Sequence, residues 1–150
     1  SMIDAGTFRD CTFTVAKEVD YLVCSEDFAR QYTGRTLELS DWDSCLKIFE
    51  EVELINKKHA VITLGDKGLL YREEDGTVTH LPACRVSEVD STGAGDIFHG
   101  AFACGLYDKI SVRENVRQSA AAAALSVQKI GSQTSIPTRE ETERMKNSCI

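Results

Sequence analysis

The stretch Asp90-Ser91-Thr92-Gly93-Ala94-Gly95-Asp96 stands directly before the apolar segment Ile97–Phe102. Small residues at that junction make a poor helix start but an accessible one. A helix N-terminus leaves about four backbone N–H groups unpaired and carries roughly half a positive charge. With no bulky side chain in the way, an anion can reach those N–H groups. Thr92 to Asp96 therefore reads as a concave anion hole, lined by Gly93, Ala94 and Gly95. A carboxylate at Asp96 would repel a bound phosphate, so its natural task is the other reactant. It is placed to accept the proton of a hydroxyl attacking a phosphoryl group. As a carboxylate it is a weak base that mainly orients the hydroxyl. The plainer reading is a tight turn with an ordinary acid in the first helical turn.

Two better-known phosphate loops are excluded. No Gly-Lys-Ser/Thr follows, so this is not a Walker A loop, and Gly93, Gly95 and Gly100 do not make the GxGxxG dinucleotide fingerprint. A second glycine pair lies in Thr63-Leu64-Gly65-Asp66-Lys67-Gly68, at the end of an apolar run. Ligands of open α/β sheets sit beyond the carboxyl ends of strands, which makes Thr63, Gly65 and Gly68 candidates to line a nucleotide crevice. A simple strand-to-strand turn explains them equally well. Lys67 reads as a solvated loop lysine, His99 as a structural histidine one turn after Asp96, and Cys104 and Trp42 as packing residues.

The elements that must position these residues alternate in type. Strands are expected over Asp20–Ser25 and His59–Gly65, and a helix over Ser40–Lys58 with Ser40 and Asp43 in capping-box positions. Gly68–Leu81 reads as a hairpin turning at Asp75-Gly76. A helix is expected over roughly Ala94–Tyr107. Another follows Ser111, with Val112, Val116, Ala120, Ala123 and Val127 along one face. A last short helix is capped by Thr138 and Glu141. Strands alternating with helices imply an α/β fold with a largely parallel sheet. Only about three parallel strands are visible, and Met2–Gly6 reads as the end of a strand. The chain is expected to be one partial domain, with Ser1-Met2 as a tag scar and an exposed sheet edge through which two copies could pair.

The composition bounds the function. The 150 residues carry a formal charge of −7, with 42% hydrophobic and 27% charged residues. No Lys/Arg run supports nucleic-acid or membrane-surface binding. No apolar run reaches the roughly 20 residues of a membrane span. Six cysteines form no CxxC pair, and several lie in apolar segments as small hydrophobes. That usage suggests a reducing, cytoplasmic setting without disulfides.

Together these residues resemble the ribokinase-like, or pfkB, carbohydrate kinase family. "DSTGAGD" at 90–96 is similar to that family's C-terminal signature, and "VITLGDKGLLY" to its strand–turn–strand at the nucleotide. "GSQTSIPTREE" at 131–141 resembles its ending, and "DAGTFR" and "YLVCSEDFARQYTG" match its middle. The resemblance implies a ribokinase-like, Rossmann-like three-layer α/β sandwich, of which this chain resembles the C-terminal, nucleotide-binding half. It implies transfer of the γ-phosphoryl of ATP to a sugar or related alcohol, with magnesium. Asp96 becomes the catalytic base, Gly93, Ala94 and Gly95 the anion hole, and Thr63, Gly65 and Gly68 neighbours of the nucleotide. It further implies a potassium-type cation beside the anion hole, at Asp90, Thr92, Ser126, Gly131 and Ser135.

One departure stands out. Where the family usually has Asn-x-x-Glu, this chain has Ser25-Glu26-Asp27-Phe28. Phe28 cannot help place magnesium, which leaves Glu26 and Asp27 as substitutes. Because the family's sugar contacts lie mostly in the other half, the chain alone is expected to be inactive. Two competing readings are a nucleotide or sugar sensor on the same fold and an α/β interaction domain whose glycine motif is structural.

Overall fold

A computed structural model describes residues 1–149 and divides them into two compact units, Ser1–Leu81 and a unit beginning at Pro82. In the first unit the order is β1 (Met2–Ala5), α1 (Asp10–Ala16), β2 (Tyr21–Ser25), α2 (Glu26–Thr33), α3 (Trp42–Glu53), β3 (His59–Thr63), β4 (Leu69–Arg72) and β5 (Val78–Leu81). The sheet runs β1-β2-β3-β4-β5. β1, β2 and β3 pair in parallel, with Leu22 opposite Ile3 and Ala60, and β3, β4 and β5 are antiparallel. The helical connections between parallel strands follow from chain geometry, since a tight hairpin can join only antiparallel strands.

Strand alternation sets the core. Leu22, Cys24, Ala60, Ile62 and Leu70 fall on one face and join Phe28, Ile48, Phe49 and Val52 from α2 and α3. Val23, Val61, Leu69 and Tyr71 alternate onto the opposite face and are equally buried. Strands buried on both faces read as continuous apolar runs, which is what "YLVCS" and "HAVIT" are. The hairpin turns at Asp75-Gly76, where Gly76 takes φ 91°.

The second unit holds α4 (Ala94–Tyr107), α5 (Val112–Ser126) and α6 (Arg139–Ser148). α6 has the expected cap, and at α5 only the Ser111 half of a capping box is present, with the Glu114 carboxylate paired to Lys146. Ser111 Oγ accepts from the Glu114 N–H, and Thr138 and Glu141 form a complete capping box. The buried face of α5 is rotated from the expected one. Asn115, Val116, Ser119 and Ala122 are buried, whereas Val112, Ala120, Ala123 and Val127 are only half-buried. The reason is a polar contact. Asn115 packs on the backbone of Gly105 in α4 and donates from Nδ2 to Phe102 O at 2.9 Å. A Cβ on Gly105 would lie 2.0 Å from Asn115 Oδ1. Gly105→Ala is therefore expected to destabilise this unit by about 2–4 kcal/mol, from overpacking plus a disrupted buried hydrogen bond. Urea denaturation with an unchanged midpoint would refute that packing.

Other expectations need correction. The third helix starts at Trp42 and is capped by Asp41, not Ser40, and it ends at Glu53. Trp42 is exposed, and Cys104 lies on the exposed face of α4. Cys84 and Cys149 are joined in a disulfide, with Cα atoms 5.1 Å apart. No cysteine spacing signals that pair, because its partners meet only through the fold of the second unit. No helix of the described residues is long and apolar enough to cross a membrane.

Candidate functional site

In the second unit the motif loop is built around one carboxylate. Asp90 Oδ1 accepts the Thr92 N–H at 3.0 Å, an Asx turn, and Oδ2 accepts the Gly131 N–H at 3.0 Å. The backbone continues the clasp. The N–H groups of Val89 and Asp90 both donate to Val127 O, at 2.7 and 3.0 Å, just past the end of α5. Asp90, Thr92, Gly131 and the Ser126–Val127 corner are thus held in one assembly.

Gly93 is the N-cap of α4 at φ 80°, a left-handed conformation that L side chains rarely adopt. A Cβ there would also sit 2.7 Å from Ser132 Cβ. The Ala94 N–H donates to Ser91 O and the Ile97 N–H to Gly93 O. Between them, the N–H groups of Gly95 and Asp96 have no acceptor among the described residues, and α4 has no side-chain cap. A Cβ on Gly95 would meet nothing within 4 Å, and both Gly95 and Asp96 are exposed. This is the geometry of an anion site: orphan donors, the positive end of a 14-residue helix, and room in front of it. Gly93 is required by the loop, whereas at Gly95 the absence of a side chain leaves the space open.

His99 stays structural. Its half-buried ring donates from Nδ1 to Gly95 O at 2.6 Å, one turn back. Ser135 and Ser126 are buried, and each donates its hydroxyl to a nearby carbonyl, Ser132 O and Ala123 O. Asp90, Thr92, Ser126, Gly131 and Ser135 offer oxygen donors only, the ligand class that hard cations take. That donor set fits the implied alkali cation, which these residues would hold.

The Gly131 N–H, followed by the Thr92 bonds, holds the Asp90 carboxyl below the usual carboxylate range. A depressed folded-state pKa gives stability that is present above the unfolded value and lost as pH falls through the folded one. Asp90→Asn is therefore expected to be less stable than the parent at neutral pH. The gap should close as pH falls below about 4, where an unfolded aspartate protonates. A gap that is constant from pH 7 to pH 3 in chemical denaturation would show that the Asp90 charge is irrelevant.

Thr63, Gly65 and Gly68 lie in the first unit, around the single 3-10 turn Gly65–Lys67 between β3 and β4. Thr63 Oγ1 donates to Cys24 O, and Gly65 and Gly68 take φ 62° and 101°. Glu26, at the start of α2, receives Lys67 Nζ on both carboxylate oxygens at 2.8 Å. This bond raises the Lys67 pKa. Lys67 is thus tethered as well as solvated. Asp27 is exposed and pairs with Arg30 at 2.9 Å. Both carboxylates are thus ion-paired, and no group of three or more His, Cys, Asp or Glu side chains fit to hold a metal occurs among the described residues.

The Ser25–Phe28 departure has a packing cause. Ser25 caps α2, accepting from the Phe28 N–H and donating to Gly6 O at 2.6 Å. Phe28 turns inward, fully buried, its ring 5.6 Å from that of Phe8.

The pfkB family carbohydrate kinase model matches residues 3–139. The ribokinase of Haemophilus influenzae is 36% identical over 83% of this chain and 40% of its own. The ribokinase of Thermotoga maritima superposes with a TM-score of 0.77 at 33% identity, over 97% of this chain and 48% of its own. A ribokinase of Arabidopsis thaliana solved with ribose and ATP gives 0.78 at 27%, over 97% and 46%. The chain spans less than half the length of each of these proteins. With the five-stranded mixed sheet, the hairpin and the helix opened by Gly-Ala-Gly-Asp, the match over 3–139 makes this chain a member of the pfkB family of carbohydrate kinases.

Proposed function

We propose that this chain is the ATP-side half of a carbohydrate kinase. That enzyme transfers the γ-phosphoryl of ATP, carried as its magnesium complex, to a hydroxyl of a sugar or related alcohol. The observation that carries this reading is the first turn of α4. Two N–H groups there have no acceptor among the described residues, their residues are exposed, and the Asp96 carboxylate sits on the same turn. The N–H groups of Gly95 and Asp96 would bind phosphoryl oxygens as negative charge develops. The Asp96 carboxylate would orient the attacking hydroxyl and take its proton. Thr63, Gly65 and Gly68 would border the nucleotide. Asp90, Thr92, Ser126, Gly131 and Ser135 would hold a potassium ion, which supplies fixed positive charge behind the loop. Ribose is the first acceptor to test, since the relatives above are ribokinases. Dependence on ATP argues for a cytoplasmic setting.

Positioning and water exclusion supply much of phosphoryl-transfer catalysis. The 150-residue chain is therefore expected to bind nucleotide without turning over sugar. Calorimetric titration with ADP is expected to show weak binding that is tighter in potassium than in a tetraalkylammonium salt. No ADP binding in either salt would favour a purely structural role for the glycine motif. Sugar phosphorylation by this chain at a rate near that of full-length relatives would refute its assignment as one half of a site.

A further inference from the structure

We propose that Cys84 and Cys149 form a reversible thiol–disulfide site, a redox clasp on the segment that leads into the motif loop. The placement of the bond carries the inference. Cys84 lies in the irregular stretch 82–88, for which no backbone hydrogen bond occurs among the described residues. The first backbone anchors downstream are the Val89 and Asp90 bonds to Val127 O. The disulfide is thus the covalent tie of a segment that has little else to hold it. Its other end, Cys149, is the C-cap of α6, and α6 is secured to α5 by Lys146, which is buried and paired with Glu114. Closing the bond fastens this segment to the end of α6.

Both cysteines are half-buried and so open to small thiols, whereas Cys24 and Cys45 are buried. Burial pushes the Cys24 thiol well above the usual thiol range, and Cys45 also upward, which makes both poor nucleophiles. Cys149 caps the negative end of a helix dipole, which disfavours its thiolate, so Cys84 is the first attacking thiolate. It displaces one glutathione thiolate from glutathione disulfide, and the Cys149 thiolate then attacks the mixed disulfide and releases the second. Two protein thiols lose two electrons and two protons, and one glutathione disulfide becomes two glutathione molecules. The bond closes a loop across 65 residues of sequence that contains the whole motif.

The test is to equilibrate the 150-residue chain in glutathione buffers of graded ratio, trap free thiols with iodoacetamide, and map them by mass. The expected result is a reversible transition with one midpoint, in which Cys84 and Cys149 disappear from the alkylated pool together. Oxidised chain is expected to melt about 5–15 °C above reduced chain, because closing the loop restricts the unfolded chain. Hydrogen exchange over residues 82–89 should slow on oxidation. Cys84→Ser should melt with the reduced parent in either buffer. If that variant does not fold, reduced and oxidised parent still give the comparison. Alkylation of both cysteines at every ratio, or preferential pairing of either with Cys11 or Cys104, would overturn the proposal. Equal melting of the two parent forms would remove the clasp. None of these readouts depends on the chain being a kinase.

Discussion

Asp96→Asn is expected to lower the rate of sugar phosphorylation by a factor of about 10²–10⁴, the usual contribution of a positioned base. The measurement belongs in the longer kinase to which we assign this chain. The amide has the size of the carboxylate and can still accept a hydrogen bond, but it cannot take a proton. The first turn of α4 keeps its orphan N–H groups and its open front, neither of which involves the Asp96 side chain. The loss should therefore fall on kcat, with the KM for ATP little changed. Asp96 is exposed and makes no structural bond among the described residues, so folding is a weak rival explanation. Loss of an acid from a first helical turn costs about 0.3–1 kcal/mol, which a melting curve resolves. A fall of less than about tenfold would place Asp96 outside general-base chemistry.

The local rules worked where one element carries its own signal. The Ser111 and Thr138 caps, the Asp75-Gly76 turn and the Ala94–Tyr107 helix follow from short-range chemistry. Helix α1 escaped because "DCTFTVA" is seven residues with no capping bond and several residues of low helix propensity. Helix α2 carries a legible signal, a Ser25 N-cap and a Gly34 left-handed C-cap flanking eight residues. What no local rule could give were the long-range pairings. Glu26 meets Lys67 and Asp90 meets Gly131, each 41 positions away. Asn115 turns α5 because Gly105 leaves a gap for it on another helix. The same limit applies to the motif. Its glycines announced a close approach, but whether the neighbour was protein or ligand depended on Ser132, which is remote in sequence.

That distinction yields the other large effect. Gly93→Ala and Gly95→Ala add the same methyl group to residues two apart, with opposite consequences. At Gly93 the new Cβ must accept φ 80° and lies 2.7 Å from Ser132 Cβ, an atom fixed to its own backbone. Left-handed strain and overpacking together amount to about 2–5 kcal/mol. The loop from Asp90 to Gly93 then either shifts away from residues 131–132 or the second unit loses stability. Either way the orphan N–H groups are no longer aligned, so ADP binding should disappear along with several degrees of melting temperature. At Gly95 the Cβ meets no protein atom within 4 Å. Alanine is also the better helix former, by up to about 1 kcal/mol. Gly95→Ala is therefore expected to melt at or above the parent while binding ADP at least about tenfold more weakly, since 1.4 kcal/mol of lost contact with a phosphate oxygen is enough for that. Retained ADP affinity in Gly95→Ala would mean that the space before α4 is empty because nothing binds there. A stabilised protein that has lost its ligand would mean that a phosphate fills it.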